Sequence, residues 1–359
     1  MKKKILIVDD SALMRSVLCD IIKSDQRFEV EDTANDGIEA FELLSKKTYS
    51  AVILDINMPR MNGLQLLRKM KKTNIRANVL MASTLTKEGA KETIEALELG
   101  ALDFIHKPDA ILEIKGNEFK REFLKLLGVV TRPNVGIIRD TLQLVKKKPV
   151  RGENSFTPKL RVGVKVSGKK LVAIASSTGG PKALQEVVTK LPSDLNAPVL
   201  IVQHMPKGFT KSLAERLDGL SSISIKEAEE GEKIKIGQVY IAPGGKHMKL
   251  KKRGSDYCIQ CTDEPPREGV KPCANYMYES LTDSSFAEIV CVVLTGMGGD
   301  GTKGILHLEE KKKIHVIAQN EETCAVYGMP KSIVATGLVN DLVPLGKVAE
   351  MIIKNVGVQ

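Results

Sequence analysis

The sequence has no tryptophan, and aromatic residues make up only 4% of its 359 positions. Any core must therefore be aliphatic, and an apolar share of 42% supplies enough side chains for one. A chain of this length suggests about two domains. No apolar run is long enough to span a bilayer. The opening "MKKKILIVDD" is basic and then apolar, but its apolar part is too short for a signal peptide and runs into acids. Six cysteines, Cys19, Cys258, Cys261, Cys273, Cys291 and Cys324, are too scattered for a disulfide framework. These absences point to a cytoplasmic protein that is not itself a membrane protein.

Two further classes are set aside by pattern. Cys258 and Cys261 have the spacing CxxC, but they lie in the alternating run "DYCIQCT", where residues three apart face opposite sides of a strand. Those thiols would diverge, and no second pair completes a zinc site. The net charge of +10 raises nucleic-acid binding. The lysines, however, are dispersed or sit in short runs such as "VKKKP" and "EKKKIH", with no helix-turn-helix and no interleaved aromatics. They read as solvated faces, with attraction to an acidic protein surface as a second use.

Residues 1–125 alternate strand and helix patterns. "KILIV", "FEVED", "AVILD", "ANVLMAS" and "ALDFI" are short apolar segments, separated by helical stretches such as "SALMRSVLCDII" and "GLQLLRKMKK". Five βα units imply a parallel, doubly wound sheet. Ligands bind such sheets beyond the carboxyl ends of the strands. The residues there are Asp9, Asp10, Asp55, Ser83 and Lys107. Adjacent carboxylates repel unless a cation joins them, and an oxygen-rich cluster suits Mg²⁺. Lys107 is then a counter-charge for an incoming phosphoryl group.

"VDDS", "LDINMPRMNG", "MAST" and "HKP" resemble the receiver domain of two-component response regulators. The resemblance implies a flavodoxin-like fold in which Asp55 accepts phosphate from a histidine kinase. It implies that Asp9, Asp10, Asp55 and the backbone carbonyl of Asn57 hold Mg²⁺. It also implies that Ser83, Phe104 and Lys107 are the residues that switch on phosphorylation.

Residues 126–166 break the alternation with Pro, Gly and basic residues and read as an interdomain linker, in which "GIIRDTLQLV" could form a short helix. A second α/β pattern begins at 167 and runs to 359, with a hairpin expected near Gly254. Ser177 follows the strand "KLVAIA", His204 follows "APVLIVQ", and Asp300 lies in the glycine-rich loop after "IVCVVLT". A hydroxyl, an imidazole and a carboxylate on one rim are what nucleophilic acyl transfer needs. His204 would take the Ser177 proton, and Asp300 would fix the imidazole. A helix start next to Ser177 favours a developing oxyanion.

A competing reading stays open at this point. "GMGGDG" fits GxGxxG, follows a strand and precedes a helical run, with Glu321 just past the next strand. That is close to a dinucleotide fingerprint. Asp300 argues against it, because it puts a carboxylate where a pyrophosphate would sit. Bland roles also exist for single residues: His247 as a packed histidine, Thr178 as a helix cap, Ser176 as a small packing residue, Asp300 as a turn residue.

"SSTGGP", "QHMPKGFTKSLAERL", "YIAPGGKHM", "LTGMGGDG" and "AQNEETCAVYGMP" resemble the catalytic domain of the chemotaxis protein-glutamate methylesterases, the CheB family. The resemblance implies hydrolysis of glutamyl γ-methyl esters on chemoreceptors, with release of methanol, and deamidation of certain receptor glutamines, without a cofactor for the ester chemistry. It implies that Ser177, His204 and Asp300 are catalytic, and that Thr178 and Met297 meet the substrate and its oxyanion. Two departures stand out. Ala175 and Ser176 precede Ser177 where the family motif reads "GASTGG", and Val270 and Cys273 stand in "VKPC" where "HRPS" is common.

Overall fold

The structure, a computed structural model, describes residues 1–83, 86–107, 117–132 and 167–359. The expected helix in "GIIRDTLQLV" and most of the expected linker lie outside the described residues. The described chain forms two compact units, taken in turn.

The N-terminal sheet is made of β1 (Lys3–Val8), β2 (Phe28–Ala34), β3 (Ala51–Asp55), β4 (Val79–Ser83) and β5 (Asp103–His106). Its strand order is β2-β1-β3-β4-β5, and every pairing is parallel. Every residue of β3 and β4 is buried, which explains why those strands read as unbroken apolar runs rather than alternating ones. Helices α1 (Ala12–Lys23), α2 (Gly37–Lys46), α3 (Gly63–Lys72) and α4 (Lys87–Leu99) follow the first four strands. Each starts on a side-chain cap, from Ser11, Asp36, Asn62 and Thr86, which satisfies amide groups that a helix start leaves open. Helix α5 (Asn117–Val130) buries Phe119, Phe123, Leu127 and Val130 along one face, so it continues past position 125.

The second sheet is made of β6 (Lys170–Ser176), β7 (Val199–Gln203), β8 (Ser224–Glu227), β9 (Gln238–Ile241), β12 (Glu288–Val293), β13 (Ile314–Gln319) and β14 (Asp341–Val343). The order is β14-β13-β12-β6-β7-β9-β8, again with parallel pairings throughout. β6 is central. The chain builds outward from it through β7, then returns to place β12 on its other side. That reversal opens a crevice at the carboxyl ends of β6, β7 and β12.

Strands β10 (His247–Arg253) and β11 (Asp256–Thr262) form a separate antiparallel hairpin that turns at Gly254. Met248, Leu250 and Ile259 of this hairpin join a core with Ala173, Tyr278 and Cys291. In β11, Cys258 is buried while Cys261 is partly exposed, so the CxxC thiols do diverge. The helices in this part of the sequence are α6 (Gly180–Val188), α7 (Phe209–Asp218), α8 (Ala274–Ser280), α9 (Thr302–Glu309), α10 (Met329–Val334) and α11 (Leu345–Val356). Among the described residues no helix is long and apolar enough to cross a membrane.

Candidate functional site

Ser177 is the first residue after β6, and sheet pairing carries on through it. Its N–H donates to Thr295 O at 3.0 Å, on the β12 side, and the His204 N–H donates to Ser176 O at 3.2 Å, on the β7 side. The peptide unit leading into the serine is thus stitched to both neighbouring segments before any side-chain chemistry. The chain then turns into α6 through Gly179, whose φ of 75° belongs to the left-handed region that glycine adopts at little cost. Gly180 must also lack a side chain, since a Cβ there would lie 1.9 Å from Gln203 Oε1.

Gln203 occupies that space for a reason. Its Oε1 accepts the Ser176 hydroxyl at 2.7 Å, and its Nε2 donates to Ser177 O at 3.0 Å. Ser176, read as a packing residue, is therefore half of a buried clamp on the serine turn. Thr295 adds a third tie, donating its hydroxyl to Thr178 O at 3.0 Å. Gln203 and Thr295 were not singled out from the sequence. The available signal was a polar residue ending each of two apolar strands.

His204 Nε2 lies 2.8 Å from Asp300 Oδ2. Ser177, His204 and Met297 are partly exposed, while Thr178 and Asp300 are buried. The structure thus brings Ser177, His204 and Asp300 to one rim and forms the imidazole–carboxylate link. Among the described residues no hydrogen bond joins the Ser177 hydroxyl to the imidazole; such contacts often tighten only with substrate bound. Met297 follows Gly296, where a Cβ would lie 2.7 Å from Ser177 Cβ, so this loop runs directly against the serine.

Asp300 accepts from more than the imidazole. The Ala274 N–H reaches its Oδ2 at 2.6 Å, and the Asn275 N–H and the Cys273 thiol each reach its Oδ1 at 3.0 Å. Burial pushes the carboxyl up, but His204, the thiol and the amide outweigh it and hold it down at about 2. A carboxylate so held stays ionised at any ordinary pH. Amides of the glycine-rich loop itself answer the dinucleotide reading. At the start of α9 the Gly301 N–H donates to Asp300 Oδ1 at 2.8 Å, and the Gly304 N–H donates to Asn275 Oδ1 at 2.7 Å. Donors that would cradle a pyrophosphate are already used.

The N-terminal unit carries a second cluster. Carboxylate oxygens of Asp9, Asp10 and Asp55 all lie within 4.8 Å of one another, and this is the metal-capable group of acids, cysteines or histidines found among the described residues. Asp9 and Asp55 are buried, and Lys107 Nζ approaches them at 2.6 and 2.8 Å. Burial pushes the Asp55 carboxyl up, against the pull of Lys107. Three carboxylates converge beside one lysine, an excess of hard oxygen donors that fits Mg²⁺. Asn57 is exposed in the loop two residues after Asp55. Ser83 ends β4, and its hydroxyl accepts from Thr93 Oγ1 at 2.7 Å. Phe104 is buried opposite Met81 in the β4–β5 pairing.

Comparison with known proteins agrees with both units. Residues 172–352 match the family model for CheB methylesterase, and residues 5–116 match that for the response regulator receiver domain. A Pyrococcus horikoshii protein named protein-glutamate methylesterase/protein-glutamine glutaminase is 43% identical over 99% of this chain and 94% of its own length. A Syntrophomonas wolfei protein named protein-glutamate methylesterase/protein-glutamine glutaminase 1 is 41% identical over 98% and 99%. The crystal structure of the Thermotoga maritima CheB methylesterase catalytic domain is 42% identical, with a TM-score of 0.50, covering 53% of this chain and 99% of that one. With a half-length family match and relatives above 40% identity over nearly the whole sequence, the chain belongs to the CheB methylesterase family and carries a response-regulator receiver domain ahead of the esterase domain.

Proposed function

We propose that this protein is a phosphorylation-activated esterase that hydrolyses glutamyl γ-methyl esters on chemoreceptors in the cytoplasm, and that it deamidates receptor glutamines by the same chemistry. The observation that carries this reading is the rim on which Ser177, its leading peptide unit tied to both flanking segments, meets a His204–Asp300 pair joined at 2.8 Å. Ser177 Oγ attacks the ester carbonyl carbon while His204 takes its proton. The tetrahedral oxyanion lies toward the Thr178–Met297 side, near the start of α6. Collapse breaks the C–OCH₃ bond, and His204 returns the proton to the departing methoxide, giving methanol. Water then repeats the sequence on the acyl-serine and frees the glutamate carboxylate. A glutamine side chain follows the same course with ammonia as the leaving group. Asp300 remains a carboxylate throughout and stabilises the imidazolium.

Control rests with the receiver. Asp55 takes the phosphoryl group of a histidine kinase, adding about −1.5 to −2 charge. Asp9, Asp10, Asp55 and the Asn57 carbonyl would hold Mg²⁺, which when bound neutralises part of that charge. Lys107 meets the phosphoryl oxygens, and Ser83 and Phe104 respond to their arrival. The test is methanol release from methylated receptor in membrane vesicles. Ser177→Ala is expected to lower the rate by roughly 10³-fold or more while remaining folded. A near-native rate in that variant, with Ser176 or Thr178 substituting, would overturn the assignment.

A further inference from the structure

His247 begins β10 and is fully buried, yet it is far from Ser177 in sequence and plays no part in the chemistry above. Its Nε2 lies 3.2 Å from Pro265 O. A carbonyl can only accept, so Nε2 carries the hydrogen. Nδ1 is then a lone pair, and it accepts the Cys273 N–H at 3.1 Å. Cys273 is the N-cap position of α8, and its own side chain makes no cap bond to that helix. The next two amides, of Ala274 and Asn275, together with the Cys273 thiol, are among the donors that hold Asp300. Three successive amides at one helix start are thus divided between two acceptors. The first goes to His247, and the other two go to Asp300.

We infer that His247 is a positioning residue: as a neutral imidazole it anchors the first amide of α8, and so sets where that helix start holds the carboxylate that orients His204. This rests on the esterase reading. It also gives the hairpin a task, since β10 places the imidazole and is itself packed into the core beneath the site. The rest of its surroundings fit an uncharged ring. Tyr276 packs edge-on at a centroid distance of 4.6 Å. Lys271 and Glu264 face it with opposite charges, Glu264 is paired with Lys249, and both Lys249 and Arg267 lie over the ring of Tyr276. Burial pushes the imidazole toward its neutral form.

Two polar replacements separate the roles of the ring nitrogens. His247→Asn places an amide oxygen near the position of Nδ1 and keeps an acceptor for Cys273. His247→Gln reaches instead toward the position of Nε2 and leaves the Cys273 N–H unpaired. Steady-state methanol release by the full-length protein is expected to give a kcat for Asn within about threefold of wild type. For Gln it is expected to fall about 10- to 100-fold with KM unchanged, because a misplaced catalytic group costs rate rather than binding. Amide hydrogen exchange at Ala274 and Asn275 is expected to stay slow in Asn and become fast in Gln. Equal kcat and equal protection in the two variants would overturn the inference, as would an Asn variant that loses more than about tenfold or does not fold. Should Gln not fold, the Asn variant decides alone by the same limits. A wild-type protein that releases no methanol sinks the esterase reading instead, while the exchange comparison still decides the role of His247.

Discussion

Asp300 is held by more donors than are needed to orient one imidazole, and the surplus has a consequence for acid stability. Its carboxyl sits at about 2, below the ordinary 3.8. A depressed carboxyl stabilises the fold above its unfolded value and loses that contribution as pH falls through the folded one. The window is therefore about pH 4 down to about 2, and the contribution is on the order of 2 kcal/mol. Asp300→Asn removes the titrating group, so its unfolding free energy should fall less steeply than wild type's across that window in urea titrations. Parallel pH profiles would contradict this. Gln203 makes a second prediction at the same scale. Gln203→Leu leaves the buried Ser176 hydroxyl without its acceptor and removes one of the two donors to the Ser177 carbonyl, the other being the Gly180 N–H, which costs about 1–3 kcal/mol. The same titrations at neutral pH should show that loss, accompanied by slower methanol release as the serine turn loosens.

Helices α8 and α9 start against each other and exchange caps. Asp300, just before α9, accepts the Ala274 and Asn275 amides of α8, while the Asn275 side chain accepts the Gly301 and Gly304 amides of α9 at 3.1 and 2.7 Å. Gly301 has no side chain with which to cap its own helix, so the cap comes from across the junction. Asn275→Ala should destabilise the protein by about 1 kcal/mol. Unchanged urea stability would show that the exchanged caps carry no weight. The central strands were legible in the sequence because each is a short apolar run ended by a polar or glycine-rich step, whereas the edge strands β8 and β14, with four and three residues and mostly half-exposed side chains, form no such run. The rim positions of Ser177, His204 and Asp300 were legible because residues at strand ends are fixed once the strands are. The links His247–Cys273, Asn275–Gly304 and Gln203–Ser176 were not. Each joins residues 26 to 29 positions apart through a single hydrogen bond, and such a bond leaves no periodicity. The boundary drawn at 125 falls inside α5: the proline and basic residues that suggested a linker begin only at Arg132, past the helix end at Val130.

At the scale of the whole molecule, two parallel sheets each place polar chemistry at the carboxyl ends of their strands. One rim gathers acids and a lysine, and the other gathers a serine, a histidine and an aspartate. Joining them in one chain makes sense if the first rim controls the second. Such control needs only about 1–3 kcal/mol of coupling, which changes a rate roughly 5- to 150-fold. Asp55→Asn removes the carboxylate proposed to take the phosphoryl group and should leave the esterase unresponsive to any phosphodonor. The most direct measurement is the initial rate of methanol release from methylated receptor vesicles, with and without acetyl phosphate and Mg²⁺, for wild type, Ser177→Ala and Asp55→Asn. The expected result is a phosphodonor-stimulated rate in wild type, none in Ser177→Ala, and an unstimulated basal rate in Asp55→Asn. Stimulation of Asp55→Asn equal to wild type, or methanol release that survives loss of the Ser177 hydroxyl, would contradict it.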